Sequence, residues 1–290
     1  GRLPAEFRLH QFPIRVGEWH SHVRSPRPAK WLSICTVVPI VAAVDGVSDR
    51  TGSLFYGPRV RPAVLSVELH SHSALSHDGR DPVDMLLEQA AAVGLDALAV
   101  TDHDEIDASL EAVELADEYG LVGIPGMEVT SAAGHVLAFG IEKLIPAGLG
   151  YDETLDRIHD QGGLAVVPHP FQKSRHGVAP HISDDQLANA DAIEVYNSRL
   201  LTGRSNRQAE SFAVNHGVPM TAGSDAHIAE MVGQAVTQVG ADERSVDAIL
   251  DAIRDGRTSV VGKRTPWYIS FRQAAGGAKR RIGRRVDDLL

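Results

Sequence analysis

The sequence predicts an α/β fold in which a mainly parallel sheet closes into a TIM-like barrel. Three observations predict it. Between residues 64 and 262, short apolar runs of strand character alternate with amphipathic stretches of helical period, as in βα units. Several of these runs end directly in His, Asp or Glu, and α/β barrels place their chemistry at the carboxyl ends of strands. The 290 residues also accommodate one barrel of about 250 residues.

Charge divides the chain into three segments. Residues 1–64 hold nine Lys and Arg against four Asp and Glu, residues 65–262 hold 11 against 32, and residues 263–290 hold eight against two. We predict a folded domain over 64–262, whose acidic surface disfavours long duplex nucleic acid as a partner. Residues 1–63 lack a sustained period and are expected to be irregular or disordered, and residues 263–290 form a basic tail.

Cysteine content and hydropathy restrict the location of the chain. Cys35 is the single cysteine, which excludes an intramolecular disulfide and a cysteine zinc finger and fits the cytoplasm. The apolar run 31–44 is too short to span a bilayer and lies too far along the chain for a signal peptide. We therefore expect a cytoplasmic protein without membrane association.

The predicted domain opens with a strand from residue 64 that ends at His70 and His72. Side chains alternate between the faces of a strand, so both imidazoles and Glu68 share one face. A second strand over 96–101 ends at His103. Two strands that each end in His and carboxylate residues are typical of a site for several zinc, manganese or iron ions.

The other elements are predicted from period and from their ends. Helices are expected where an apolar stripe of helical period precedes a stop, as over 81–93, with Asp81 as N-cap, Pro82 at the first position and Gly94 at the end. The further helices are 105–119 before Gly120, 152–161 before Gly162, 203–216 and 245–255. Short apolar runs give strands over 121–129, 135–141, 164–167, 191–196, 218–222, 234–239 and 258–261, and a polar loop covers 171–183.

Nine polar residues fall at or just after predicted strand ends, and six of them belong to the 14 histidines of the chain. Nine convergent ionisable residues are hard to explain as core packing, because unpaired buried charges are very costly. A bound metal would compensate them. These candidate ligands are His70, His72, Asp78, His103, Glu128, His135, His169, Asp225 and His227.

The motifs around these residues resemble the PHP family, the polymerase-and-histidinol-phosphatase metal-dependent phosphoesterases. They span over half of the chain in the order of the family and are Leu69-His70-Ser71-His72, Asp78-Gly79, Thr101-Asp102-His103-Asp104, Glu128 with His135, Pro168-His169-Pro170, Ile193-Glu194-Val195-Tyr196-Asn197 and Gly223-Ser224-Asp225-Ala226-His227. The resemblance implies a distorted (β/α)7 TIM-like barrel with up to three metal ions at the carboxyl ends of its strands.

The resemblance also implies three ligand sets. The first is His70, His72, Glu128 and Asp225; the second is Asp78, His103 and His227; the third is Glu128, His135 and His169. Where the family usually has Asp two residues before the first His, this chain has Glu68, which we expect to support an imidazole. His77 remains an alternative to Asp78, which is preferred because Gly79 follows it.

We therefore expect a phosphoesterase that uses water activated by two or three divalent ions, Mn²⁺ or alternatively Zn²⁺ or Fe²⁺. The expected substrate is a small phosphate ester, such as a nucleotide, a bisphosphate nucleotide or the 5′ end of a short oligonucleotide. The predicted catalytic residues are His70, His72, Glu128, Asp225 and His227. The predicted phosphate-binding residues are Lys173, Arg175, His176, Arg199 and Arg204.

Two other classes stay open. The first is a metal-binding module of the same fold without catalytic activity. Such a module would be indicated by the loss of some of the metal ligands. The second is a hydrolase of the amidohydrolase-like barrel type, which usually carries a carboxylated Lys at a strand end. Lys143 and Lys173 are the only lysines of the predicted domain, and neither follows a strand in the right way.

Overall fold

The computed structural model describes residues 63–199 and 203–265, which form a mixed α/β fold as predicted. The strands are β1 (Ala63–Glu68), β2 (Ala97–Ala99), β3 (Val122–Ile124), β4 (Gly126–Thr130), β5 (His135–Phe139), β6 (Leu164–Val167), β7 (Ala192–Asn197), β8 (Met220–Gly223), β9 (Ala235–Ala241) and β10 (Thr258–Gly262). The helices are α1 (Val83–Ala92), α2 (Asp107–Leu115), α3 (Tyr151–His159), α4 (Asp184–Ala188), α5 (Arg204–His216) and α6 (Val246–Arg254). The predictions for residues 1–62 and 266–290 lie outside the described residues.

The strands form two five-stranded sheets, β10-β9-β1-β2-β3 and β4-β5-β6-β7-β8. Single parallel bridges link them where strands end, one between Ser71 and Ala226 and one between His103 and Glu128. The predicted mainly parallel pairing is only half right: β1-β2, β2-β3, β6-β7 and β7-β8 are parallel, and β1-β9, β9-β10, β4-β5 and β5-β6 are antiparallel. The short connection 131–134 forces β4 and β5 to pair antiparallel, because a parallel pair needs a long crossover.

Three local predictions differ from the structure. The predicted strand 121–129 is divided at Pro125, which has no N–H for a sheet, and its halves β3 and β4 belong to different sheets. Asp81 does not cap α1; its carboxylate accepts a hydrogen bond from the backbone N–H of Ala229 at 2.7 Å. The helix α4 was not predicted, although Ser183 and Gln186 form a capping box that is visible in the sequence.

One apolar cluster of the core packs the helix α6 against both sheets. Helix α6 buries Ile249, Leu250 and Ile253 in one cluster with apolar residues from both sheets. This cluster includes Leu65 of β1 and Leu164 of β6, which lie at the beginnings of their strands. Within the described ranges, none of the helices has the length and apolar composition needed to cross a bilayer.

Candidate metal centre

The structure brings all nine predicted ligands to one site. Seven of them line a cavity of about 540 Å³: Asp78, His103, Glu128, His135, His169, Asp225 and His227. His70 and His72 follow β1 and are fully buried against Glu128, with their Nε2 atoms 3.3 Å from its Oε2. The strand ends thus meet as the spacing predicted.

Glu128, on β4, is the centre of this site. Its Oε2 lies 3.3 Å from Nε2 of both His70 and His72 and 3.4 Å from Nδ1 of His103. Its Oε1 lies 2.7 Å from Nδ1 of His135 and 3.5 Å from Nε2 of His169. One buried carboxylate therefore faces five imidazoles.

A second group of contacts surrounds His227. Its Nε2 lies 2.6 Å from Oδ2 of Asp78, and its Nδ1 lies 3.3 Å from Oδ1 of Asp225. Asp78 also approaches Nε2 of His103, at 3.8 Å. The ring of His77, the alternative to Asp78, lies 4.8 Å from the ring of His103, so both side chains reach this part of the site.

Two of the candidate ligands have strained backbones. His169 and Asp225 have φ angles of +33° and +50°, in the left-handed region that side chains with a Cβ rarely adopt. This backbone conformation lowers the stability of the fold by about 1–3 kcal/mol for each such residue. Residues of this kind cluster at functional sites, where the surrounding structure holds them. Their orientation is therefore imposed by the fold.

Positive charge enters the site from two loops. Arg175 and Arg199 each place Nη1 on Asp225, at 2.8 Å from Oδ2 and 2.7 Å from Oδ1. His176, at the mouth of the cavity, stacks on His135 with ring centres 5.0 Å apart. Of the five predicted phosphate-binding residues these three line the cavity, whereas the structure does not bring Lys173 or Arg204 to its lining.

The carboxylates of the site are held in their charged form. Burial alone would raise the pKa of Glu128, but the imidazoles of His103, His135 and His70 hold it well below its usual range. Burial likewise opposes ionisation of Asp225, and Arg199 and Arg175 outweigh it and lower its pKa. The site therefore keeps two buried negative charges at neutral pH.

The imidazoles respond to their neighbours in opposite directions. Burial lowers the pKa of His103, but Glu128 and Asp78 outweigh it and raise the pKa to about 9. The pKa of His70 is raised in the same way, because Glu194, Glu128 and Asp225 outweigh the effect of burial. Burial and the adjacent His227 lower the pKa of His72 well below its usual value.

The donor atoms fit a group of divalent metal ions. Several buried polar atoms make no hydrogen bond of normal geometry in the described part of the chain, although some lie within 3.5 Å of one another: both ring nitrogens of His72, Nδ1 of His135, Nδ1 of His169 and Oε1 of Glu128. Leaving such atoms buried and unpaired is costly. Three overlapping groups at Glu128 and His70 also have ligand atoms within 4.8 Å of one another: His70-His72-Glu128, His70-His169-Asp225 and His103-Glu128-His135.

Known proteins resemble this chain in sequence and in fold. A family model described as PHP-associated (PHP_C) matches residues 203–258. A solved two-domain protein from Bacteroides vulgatus, containing a predicted PHP-like metal-dependent phosphoesterase, superposes with a TM-score of 0.60 at 24% identity, over 69% of this chain and 65% of that protein. The chain belongs to the PHP family.

Further relatives cover parts of this PHP protein. A protein of Methanocaldococcus jannaschii is 31% identical over 144 residues, which are 46% of this chain and 82% of the relative. A phosphoribosyl 1,2-cyclic phosphate 1,2-diphosphodiesterase of Eggerthella lenta is 36% identical over 99 residues, 32% of this chain and 37% of that enzyme. Endonuclease Q, solved with a 27-mer duplex substrate that has an abasic lesion at the active site, superposes with a TM-score of 0.55 at 17% identity, over 70% of this chain and 60% of that protein.

The PHP site also contains residues to which the sequence assigned no role. Glu194, on β7, accepts from Nδ1 of His70 at 2.9 Å and from the backbone N–H of His169 at 2.9 Å. The amide of Asn197 donates to Glu194 at 3.0 Å and to Asp225 at 3.2 Å. Both belong to the motif Ile193–Asn197 that contributed to the resemblance, but spacing alone could not show which side chains they contact.

Glu68 does not support an imidazole, contrary to expectation. Its carboxylate accepts hydrogen bonds from the backbone N–H groups of His70, Ser224 and Gly233, at 3.1, 2.9 and 3.0 Å. Burial raises its pKa to about 7 in spite of these donors. Glu68 therefore joins the backbone of three segments of the PHP site rather than orienting a ring.

Proposed function

We propose that this PHP protein is a metal-dependent phosphoesterase that hydrolyses a small phosphate ester with a metal-activated water. The observation that carries the proposal is Glu128, a buried carboxylate within 3.5 Å of five imidazoles. Such an arrangement costs free energy unless cations share it, which is what a divalent metal cluster provides.

The proposed ligands are those predicted from the sequence. His70, His72, Glu128 and Asp225 would hold one ion, Asp78, His103 and His227 a second, and Glu128, His135 and His169 a third. The mixture of imidazole and carboxylate suits Mn²⁺, with Zn²⁺ or Fe²⁺ as alternatives. When bound, such ions supply a water of lowered pKa and neutralise charge on the phosphoryl oxygens.

The chain's own residues would bind and orient the ester. Arg175 and Arg199 reach the cavity beside Asp225, and a guanidinium group matches phosphate oxygens in geometry and charge. His176 would contact the ester at the cavity mouth. Phosphate binding by Lys173 and Arg204 remains a prediction. Neither residue lines the cavity, so the ester would have to extend beyond the cavity to contact them.

The substrate class follows from size and charge. A cavity of about 540 Å³ lies within the range of roughly 300–1,000 Å³ that is usual for small-molecule sites. It accommodates a nucleotide, a bisphosphate nucleotide or the 5′ end of a short oligonucleotide. The similarity to the diphosphodiesterase and to Endonuclease Q supports a phosphoester as the substrate, in a small molecule or in nucleic acid.

We further propose that seven strands, β1, β2 and β4 to β8, form the distorted barrel of the family. The bridges from Ser71 to Ala226 and from His103 to Glu128 support this closure, because they join the two sheets at both of the required places. The predicted working domain, residues 64–262, and a cytoplasmic location are parts of the same proposal.

The test is product analysis with Mn²⁺ and a 5′-phosphorylated trinucleotide, with 3′-phosphoadenosine 5′-phosphate assayed in parallel. We expect mononucleotides or free phosphate, lost on chelation and in both Asp225→Asn and His103→Ala, while circular dichroism shows that the fold remains. Products from one substrate alone would distinguish nuclease from nucleotidase activity.

Glu230→Gln is the matched control, because it removes an exposed carboxylate that is not among the cavity-lining residues, and it should retain full turnover. Full activity in Asp225→Asn or His103→Ala would overturn the ligand assignment. Metal binding without hydrolysis of any phosphoester would favour the non-catalytic module, and hydrolysis of an amide instead would favour the amidohydrolase-like class.

A further inference from the structure

A second cavity lies beside the metal centre, behind the end of β7. It has a volume of about 320 Å³ and is lined by residues of β7, the start of α5 and the segment after β10. Asn197 and Ser198 belong to its wall, and Asn197 also donates to Asp225 of the metal centre at 3.2 Å. The carboxyl end of β7 therefore separates the two cavities.

Two arginines converge in this second cavity. Nη1 of Arg207 and Nη2 of Arg264 lie 3.5 and 3.9 Å from the point where a side chain on Gly203 would begin. Neither guanidinium has a hydrogen bond or an ion pair within residues 63–199 and 203–265. In contrast, the guanidinium groups of Arg157, Arg254 and Arg257 are each paired with a carboxylate.

Two positive charges that face one point, without a partner among the described residues, repel each other. Carboxylates are abundant in the neighbouring domain, with 32 Asp and Glu over residues 65–262, yet none of those that the structure describes forms an ion pair with either arginine. An anion between the two guanidinium groups would replace the repulsion by charge-assisted hydrogen bonds, since each group offers five N–H donors. Gly203 itself adds no side chain to this end of the cavity.

The other lining residues restrict where an anion could lie. Tyr196 contributes a half-buried phenol, whose pKa is raised by burial against the opposing charge of Arg264, so it stays a neutral donor at physiological pH. Glu210, further along α5, lines the same cavity and would repel an anion. The favourable position is therefore the Gly203 end of the cavity, between Arg207 and Arg264.

We propose that Arg207 and Arg264 form a second anion site that binds a phosphate group next to the metal centre. The phosphate has two possible sources with the same chemistry: a second phosphate of the substrate, or free phosphate acting on the protein. The existence of the site is independent of the proposed hydrolysis, whereas its use by a substrate rests on that function.

The test is a titration of the full chain with inorganic phosphate, followed by the NMR signals of the arginine Nε–H groups. The signals of Arg207 and Arg264 should shift together and saturate at millimolar phosphate, also in the presence of a chelator. Arg207→Ala and Arg264→Ala should each weaken this binding about tenfold, the loss expected for one charge-assisted hydrogen bond. Arg207→Lys, which keeps the charge, should lose less.

Arg157→Ala is the matched control, since it removes one exposed guanidinium on α3 outside both cavities, and it should leave the titration unchanged. Two signals that stay unshifted at millimolar phosphate, or a shift of the Arg207 signal that is unchanged in Arg264→Ala, would overturn the proposal.

Kinetics then separates the two sources. A substrate phosphate predicts that Arg207→Ala raises KM for a nucleoside 3′,5′-bisphosphate about tenfold and leaves KM for a 5′-monophosphate unchanged. If the site binds free phosphate instead, Arg207→Ala should change the KM of neither substrate, while the phosphate titration still shows binding. If neither substrate is hydrolysed, the proposed function fails while the titration still decides the anion site.

Discussion

Glu194 holds the most central imidazole of the site in one orientation. Its Oε1 accepts from Nδ1 of His70 at 2.9 Å, which leaves Nε2 of that ring directed at Glu128. A carboxylate behind a ligating histidine fixes the tautomer and increases the basicity of the ring. Glu194 is thus a positioning residue for a side chain that is itself completely buried.

We expect Glu194→Gln to weaken metal binding by about 10–100-fold, the usual effect of losing such a partner. Metal affinity is measured by competition with a chromophoric chelator, together with circular dichroism to confirm that the fold remains. Glu210→Gln, which neutralises an exposed carboxylate on α5, is the matched control and should leave metal affinity unchanged. Unchanged affinity in Glu194→Gln would contradict the positioning role.

His103 makes metal affinity depend on pH. Its pKa is about 9, so at neutral pH the ring holds a proton that a metal ion must displace. Because binding releases that proton, affinity should rise about tenfold per pH unit below pH 9 for this one group, and flatten above it. Titrations at pH 6.5, 7.5 and 8.5 measure this slope, and an affinity that falls as pH rises would be contrary to it.

Backbone geometry matters as much as side chains at the end of β8. A Cβ on Gly223 would lie 2.4 Å from Cβ of His70 and 2.6 Å from Oε1 of Glu194. Only glycine lets this strand approach the buried imidazole so closely. The residue therefore belongs to the site although it has no side chain.

Gly223→Ala should destabilise the fold by about 1–3 kcal/mol, as overpacking does, and should reduce metal binding because His70 must move. Chemical denaturation and metal titration measure the two effects. Gly150→Ala is the control: a Cβ there meets nothing within 4 Å, so stability should hold. A Gly223→Ala variant with normal stability and affinity would refute this packing argument.

Element boundaries were predictable where a local signal marks them. Gly94 and Gly120 end their helical segments with φ angles of +78° and +69°, as the glycines in the sequence indicated. Pro125 was a visible signal that the prediction did not use. Asp81 is of a residue type that commonly caps helices, but its carboxylate accepts a hydrogen bond from the backbone N–H of Ala229, which is distant in sequence.

At the scale of the whole described fold, α6 packs against both sheets. Ile253 is fully buried among apolar residues from both sheets. Ile253→Ala should lower the free energy of unfolding by about 2–5 kcal/mol, through lost burial and a residual cavity. Val214→Ala, at a residue 65% exposed on α5, should change it by less than about 0.5 kcal/mol. Chemical denaturation compares the two, and equal effects would show that α6 is not part of the shared core.

The nine candidate ligands were predictable because strand ends in an α/β fold meet at one edge, so residue type and position in the chain are enough to group them. The short connection 131–134 indicated the antiparallel pairing of β4 with β5, but the pairing of β1 with β9 was not predictable. Nor were the two hydrogen bonds that Glu194 accepts from His70 and His169, the backbone contacts of Glu68 or the convergence of Arg207 with Arg264. These contacts join residues far apart in sequence, and their partners depend on how the sheets twist and pack. Local periodicity records which face a side chain occupies, whereas only the folded chain decides what lies opposite it.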